Sequence, residues 1–394
     1  MKKNILGRVQ LIEPRSGGRA RPRYIGSDVF RRAAFGDHHP LNIVRHAAVL
    51  DIVTALGWLP ESEFARCEPA SVEKLLEFHD RAYIHALQYA DSAGMVESAD
   101  RYRYQIGTRE NPLFPGMFER AAATVGGSIL AAELALEGHV AFHPSGGTHH
   151  GRADRASGFC YLNDPVFAIL TLLAAGRKRV TYVDLDAHHG DGVEAAFAGE
   201  PRVRTISIHE AGRWPYSGDL GEGLDFDAWN FPVPAGFNDV ELQYLADRAV
   251  LPLIRGFETD ALVLCCGADC LAGDPLSAME LSNVALWGVV ESLIGLGLPT
   301  VALGGGGYNP WTVARYWSGM WGRIAGYEVP DELPEPVREM LAGMECDLID
   351  EDEVDPRWLT TMADSPYPAA VRPDVESLLS VLENNEGRIA NGMA

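Results

Sequence analysis

Val183-Asp184-Leu185-Asp186-Ala187-His188-His189-Gly190-Asp191-Gly192 sets three carboxylates and two imidazoles between an apolar run, Arg179 to Val183, and a helical pattern that begins at Val193. A strand therefore ends and a helix starts on a polar cluster, where open α/β sheets bind their ligands. Side chains alternate along an extended chain, so residues 184, 186 and 188 point to one side, and Asp186 and His188 can converge on one cation. The competing reading is a polar turn that caps a helix. It gives no reason for the density of ionisable groups, which is costly unless they pair or bind metal.

The neighbouring segments repeat this grammar. Strand 179–184, helix 193–198 and strand 203–208, which ends in Ser207-Ile208-His209, form a β-α-β succession and predict a parallel sheet. Upstream, Arg23 to Gly26 reads as a first strand and Asn42 to Leu56 as a helix with Arg45 in its first turn, a poor place for a cation unless it has a specific partner; an ordinary exposed arginine is the alternative. Residues 71–78 and 80–90 read as further helices and 91–115 as a long loop. After helix 118–137, strand 139–143 runs into Gly146-Gly147-Thr148-His149-His150-Gly151, whose paired histidines, taken alone, read by default as an exposed polar turn. Gly158-Phe159-Cys160-Tyr161 either lines a cleft or fills the core.

Downstream, residues 210–235 read as one long loop containing Tyr216, and 239–256 as a helix. The apolar strand 261–266 ends in Gly267-Ala268-Asp269, with Asp274 beyond it as a simple turn residue. Strand 299–303 ends in four glycines and Tyr308, without the spacing of a phosphate-binding loop. Strand ends at 143, 184, 208, 266 and 303 thus deliver His149, His150, Asp184, Asp186, His188, Asp191, His209, Asp269 and Tyr308 to one rim. Asp186, His188 and Asp269 make a three-ligand O/N set that leaves a fourth position for water, as in a catalytic zinc site.

Composition bounds the rest. The chain has 394 residues, 47% of them hydrophobic, and a formal net charge of −22. That balance argues against general nucleic-acid binding, which needs basic patches, and is compatible with cationic substrates. Much of the acid lies in Glu345 to Asp355. No signal-peptide core and no apolar stretch of about 20 residues is present, so a cytoplasmic protein without a membrane span is expected. The six cysteines have no CxxC spacing and are expected reduced and mostly buried.

The motifs HPLNIVR, GGTHHG, GFCYLND, VDLDAHHGDG, GADCLAGDPL and LGGGGYN, spread over most of residues 24–325, resemble the zinc-dependent histone deacetylase family; YQIGTRENPLFPGM at 104–117 looks closest to its bacterial acetoin-utilisation type. The resemblance implies a single-domain α/β arginase/deacetylase-like fold: a mainly parallel sheet flanked by helices, its active site at the C-terminal strand ends. The domain would span 24–327, between an N-terminal extension, 1–23, and an acidic C-terminal extension, 328–394, packed on it or trailing from it.

Carried over position by position, the resemblance makes Asp186, His188 and Asp269 ligands of one zinc or ferrous ion, with potassium near Asp184 and Ser207. His150 would be general base and then acid, His149 its electrostatic partner, and Asp184 and Asp191 their orienting carboxylates. Tyr308 would stabilise the oxyanion. Gly158, Phe159 and Tyr216 would flank the acyl-lysine tunnel, Leu276 would form its wall, and Arg45 would sit beneath an acetate exit.

Three departures bear on the tunnel: Tyr216-Ser217-Gly218-Asp219-Leu220 in place of FPGTG, Gly151 after the His pair, and Cys270 in place of a small hydroxyl residue. Asp100 is the candidate for the family's substrate-gripping aspartate. The implied substrate is an acetylated protein or a small acetylated amine; the alternatives are an acetylpolyamine amidohydrolase and a catalytically silent acyl-lysine binding module.

Overall fold

The computed structural model describes residues 20–36, 38–366 and 369–385. Residues 1–19, most of the expected N-terminal extension, and 386–394 at the far end lie outside them.

Eight strands form one sheet: β1 (Arg23–Gly26), β2 (Phe64–Arg66), β3 (Val140–His143), β4 (Val180–Asp184), β5 (Val203–Glu210), β6 (Ala228–Val233), β7 (Ala261–Cys265) and β8 (Thr300–Leu303). The order is β2-β1-β3-β8-β7-β4-β5-β6, and every pairing is parallel. Parallel sheets need both faces covered, and alternation along the strands supplies two apolar faces. Val263 and Cys265 of β7 join Val180 and Tyr182 of β4 in one core, whereas Leu262 and Leu264 join Val183 in the other. Helices Met117–Leu136 and Asp164–Ala174 cover the first face. Helices Asn283–Ile294 and Pro310–Ile324 cover the second.

The last two strands to be made, β7 and β8, insert between β3 and β4. The four central strands therefore run β3-β8-β7-β4, and their C-terminal loops carry His149, Tyr308, Asp269 and Asp186. Neighbouring strands lie about 4.8 Å apart, so segments up to 160 residues apart in sequence share one rim within about 15 Å.

Several elements differ from the sequence expectation. The loop predicted over 91–115 contains a helix, Ser98–Tyr104, closed by Gln105 in the left-handed region at φ 56°. The loop predicted over 210–235 contains β6, whose Ala-Trp-Asn-Phe-Pro-Val sequence hides it because proline cannot donate to a ladder. β6 is an edge strand, where Pro232 is tolerated. Strand β5 extends to Glu210, so His209 lies inside it. The helix expected over 239–256 is interrupted at Ala246–Val250 by a wider π turn, since Pro252 cannot serve the carbonyl of Arg248. The described residues between 328 and 385 pack on the core: Leu333, Val337, Leu341, Met362 and Val375 are buried in the cluster under helix Pro310–Ile324.

Candidate active site

Each functional side chain leaves a strand end through a loop too tight for ordinary residues. A Cβ on Gly267 would overlap the Asp186 carboxylate, one on Gly306 would overlap that of Asp269, and one on Gly305 would lie 2.9 Å from Asp186 Oδ2. These glycines let two backbone segments close on a pair of carboxylates.

Asp186, His188 and Asp269 are all buried and each offers one donor atom, the three lying within 4.8 Å of one another. His188 Nδ1 is 2.9 Å from Asp269 Oδ2 and 3.2 Å from Asp186 Oδ1. Two buried carboxylates and an imidazole aimed at one point, in a cradle that admits no Cβ, fit a divalent cation with one nitrogen and two oxygen ligands. Backbone N–H groups hold the outer oxygens: Gly306 N donates to Asp186 Oδ2 at 2.6 Å and Ala187 N to Asp269 Oδ1 at 2.9 Å.

The tandem histidines stand beside this cluster with ring centroids 3.9 Å apart, so the exposed-turn reading of the pair is excluded. His149 Nδ1 lies 2.7 Å from Asp184 Oδ2, and His150 Nδ1 lies 2.7 Å from Asp191 Oδ1. The two dyads are electrostatically unequal. Asp191 is also bound by the Arg152 guanidinium, whereas Asp184 takes the Tyr182 hydroxyl at 2.6 Å. Burial and the neighbouring charge of His149 push His150 down to about 4, against the pull of Asp191. Burial also disfavours charge on His149, but Asp184 and Asp186 together overcome it and raise that ring to about 9. The surroundings thus drive the two imidazoles in opposite directions, His150 toward the neutral form and His149 toward the charged one. Burial, with Asp269 and Asp186 nearby, raises the Tyr308 phenol well above its usual range and keeps it a donor.

The sequence reading missed two residues here. Asp274, taken for a turn residue, is buried and spends both oxygens on the site: Oδ2 accepts Tyr308 N at 2.7 Å and Oδ1 accepts Leu276 N at 2.9 Å. Its place five residues past the strand-end carboxylate Asp269 was the signal available in the sequence. Trp214 is the second. Its ring stands edge-on to His150 at 4.6 Å, while Tyr216 is 77% exposed on the rim. Aligning the loop two residues earlier, on Trp214-Pro215, would have found it.

An outer cavity of about 530 Å³ is lined by Glu110, Phe159, Trp214, Tyr216, Leu276 and Tyr308, among others. Phe159 sits at φ 67° behind Gly158, where a Cβ would overlap the rings of Trp214 and His150. Asp100 lies on helix Ser98–Tyr104 and does not line this cavity; the acids that do are Glu110, which accepts Gly158 N, and Glu210, which is paired with Arg213. Gly151 is explained by the Leu162–Asn163 backbone, against which an alanine Cβ would fall at 2.8 Å. Cys270 points its thiol at Gly267 O, 3.3 Å away.

His189 turns away from the cluster to Ser217 and Glu194, 2.9 Å from each. Arg45 precedes the helix His46–Ala55 and does not lie in its first turn. It is buried, donates to Gly305 O at 2.5 Å and lies 5.0 Å over the Trp317 ring, so the exposed-arginine alternative is excluded.

Residues 39–324 match the Histone deacetylase domain family. Histone deacetylase 8 of Xenopus tropicalis is 34% identical over 300 residues, which are 74% of this chain and 80% of that protein. Human histone deacetylase 1 is 35% identical over 309 residues, which are 76% of this chain and 64% of the relative. The crystal structure of a histone deacetylase homologue from Aquifex aeolicus superposes with a TM-score of 0.87 at 34% identity, covering 92% of this chain and 99% of that one; a second structure, of a homologue complexed with SAHA, superposes with a TM-score of 0.86. With a sheet of this order and a family match over most of its length, the chain belongs to the histone deacetylase family of hydrolases.

Proposed function

We propose that this protein hydrolyses the amide of short-acyl lysine side chains, acetyl-lysine foremost, with a zinc ion held by Asp186, His188 and Asp269. The observation that carries the reading is the meeting of this three-donor cradle with two unequal His–Asp dyads and one buried phenol. Zinc in such a cradle supplies Lewis acidity, bringing the pKa of water to about 7 and polarising the acyl carbonyl.

The chain's own groups do the rest. His150, neutral at pH 7, accepts the proton of the attacking water at Nε2 while Asp191 holds Nδ1; the same ring then returns a proton to the departing amine nitrogen. His149, charged beside Asp184, lends positive potential to the developing oxyanion. The Tyr308 phenol donates to that oxygen. Phe159 and Trp214 enclose the apolar lysine stem and exclude water around the scissile bond.

Ferrous iron suits the same donors, and zinc-loaded against iron-loaded protein separates the two. Potassium is a further proposal. Its ligands would be backbone carbonyls near Asp184 and Ser207, whose side chains are engaged by His149 and Tyr182 and by His209. The acetylpolyamine reading draws on Glu110 at the mouth, where a second ammonium would be welcome. Offering zinc-loaded protein an acetyl-lysine peptide beside N-acetylputrescine decides between them by kcat/KM. Turnover of neither, with zinc content verified, overturns the enzymatic reading for both classes.

A further inference from the structure

Behind the candidate metal centre lies a second cavity of about 360 Å³, lined by Arg45, Arg120, Thr124, His149, Gly306 and Tyr308, among others. His150, Gly158, Phe159 and Tyr308 line both cavities, which therefore meet at the metal cradle. In a chain of net charge −22, none of the described residues lining the inner cavity is an aspartate or glutamate.

Two of its cations, Arg45 and Arg120, have no carboxylate in direct contact, the nearest acids to Arg45 being Asp269, Asp186 and Asp274 across the metal cradle. Arg45 is 7% exposed, its Nε is buried without a hydrogen-bond partner, and its one donated bond goes to an uncharged carbonyl, Gly305 O. Arg120 donates to the carbonyls of Val29 and Arg32 at 3.1 and 3.4 Å and approaches His46 Nδ1 at 3.5 Å. Among the described residues neither guanidinium makes an ion pair, whereas Arg31 and Arg32 at the outer end are paired with Asp51 and Glu119. Burial, and then the charge of Arg45, bring Arg120 down to about 10. A buried cation and a half-buried one facing one cavity are costly unless an anion joins them.

Position decides which anion. Gly305, whose carbonyl Arg45 holds, abuts the Asp186 carboxylate, so this guanidinium is one residue removed from a metal ligand. A lysine stem entering by the outer cavity sets its acyl carbonyl at the junction and its acyl chain beyond it, toward Arg45 and Arg120.

We propose that the inner cavity receives acyl chains ending in a carboxylate, of succinyl type, with Arg45 and Arg120 as the counter-charges, so that the protein removes ω-carboxyacyl groups from lysine. The proposal rests on the deacylase reading and names a substrate class for that same site. The step is a hydrolysis: the water oxygen bonds to the acyl carbon, the C–N bond breaks, the nitrogen leaves with a proton, and succinate is released.

The test compares zinc-loaded protein on three otherwise identical lysine peptides: acetyl, succinyl and succinamoyl, the last matching succinyl in shape but lacking its charge. A kcat/KM for succinyl about tenfold or more above succinamoyl is expected, falling toward equality in Arg120→Gln and partly restored in Arg120→Lys. Acetyl turnover without this preference overturns the proposal and leaves the deacylase reading standing. A Tm rise with free succinate, read on the same zinc-loaded proteins and lost in Arg120→Gln, is expected alongside. Should no peptide be hydrolysed, the deacylase reading falls and the acyl proposal with it, and the Tm arm then separates a free-carboxylate site from none. An equal Tm rise in both proteins assigns the anion to zinc alone and overturns the guanidinium site.

Discussion

Tyr308 is held from both sides of its backbone. Asp274 accepts its N–H at 2.7 Å, and the Cys346 thiol lies 3.6 Å from its carbonyl. Replacing the phenol tests its donor role directly: Tyr308→Phe is expected to keep zinc, measured by metal analysis, and to lose about a hundredfold in kcat. Asp274→Asn tests the support behind it. One face of the new amide still accepts, but its NH₂ turns toward the other backbone N–H, so either Tyr308 or Leu276 loses its anchor. A fall in kcat of about tenfold is expected with zinc stoichiometry intact. In the double variant with Tyr308→Phe the two effects should not add; full additivity would separate Asp274 from the phenol.

At the scale of elements, the acidic segment after residue 327 docks through its apolar residues and through two charged ones, Asp364 on buried Arg315 and Arg372 on buried Glu241, and leaves most of its acids exposed. Leu341 is buried and offers its carbonyl to Trp311 Nε1 at 2.8 Å, and Trp358 packs over Gly273 beside Asp274. Leu341→Ala is expected to lower stability by about 2–5 kcal/mol in denaturant titration, the usual cost of such a cavity. A change under about 0.5 kcal/mol would mean that this helix contributes little. The charge pattern of residues 345–355 hid this packing, because the apolar residues that dock are spaced singly among glutamates and aspartates.

Across the whole molecule, one buried histidine ties loop geometry to pH. His79 Nδ1 meets Arg152 O at 3.0 Å and its Nε2 receives Asn163 N at 3.2 Å, while Asn163 holds the carbonyls of His149 and Gly151. Burial depresses His79 to about 4, against about 6.5 in an unfolded chain. Below pH 6.5 the unfolded chain therefore binds the extra proton. The stability from this group is complete above 6.5 and is lost as pH falls toward 4, by roughly 3 kcal/mol. Denaturation midpoints at pH 7 and 4.5, for wild type and His79→Gln, should show a smaller acid loss in the variant; equal losses would refute the assignment.

The sequence by itself determined the local part of this protein. Strand-ending carboxylates, glycine-rich strand ends and the 184–191 cluster are properties of short segments, because alternation and ligand spacing act over a few residues. It therefore named Asp186, His188 and Asp269 as strand-end donors, whereas the pairing of His149 and His150 with Asp184 and Asp191 came from the family resemblance. The fold decided what depends on distant neighbours. Strand order brought β7 and β8 between β3 and β4, edge position tolerated Pro232 in β6, burial turned Asp274 from a turn residue into the anchor of Tyr308, and packing set Trp214 rather than Tyr216 against His150. Only in the folded chain do Arg45 and Arg120, 75 residues apart, face one cavity without an acid between them, since charge balance in an interior is a property of the assembled site and not of any segment.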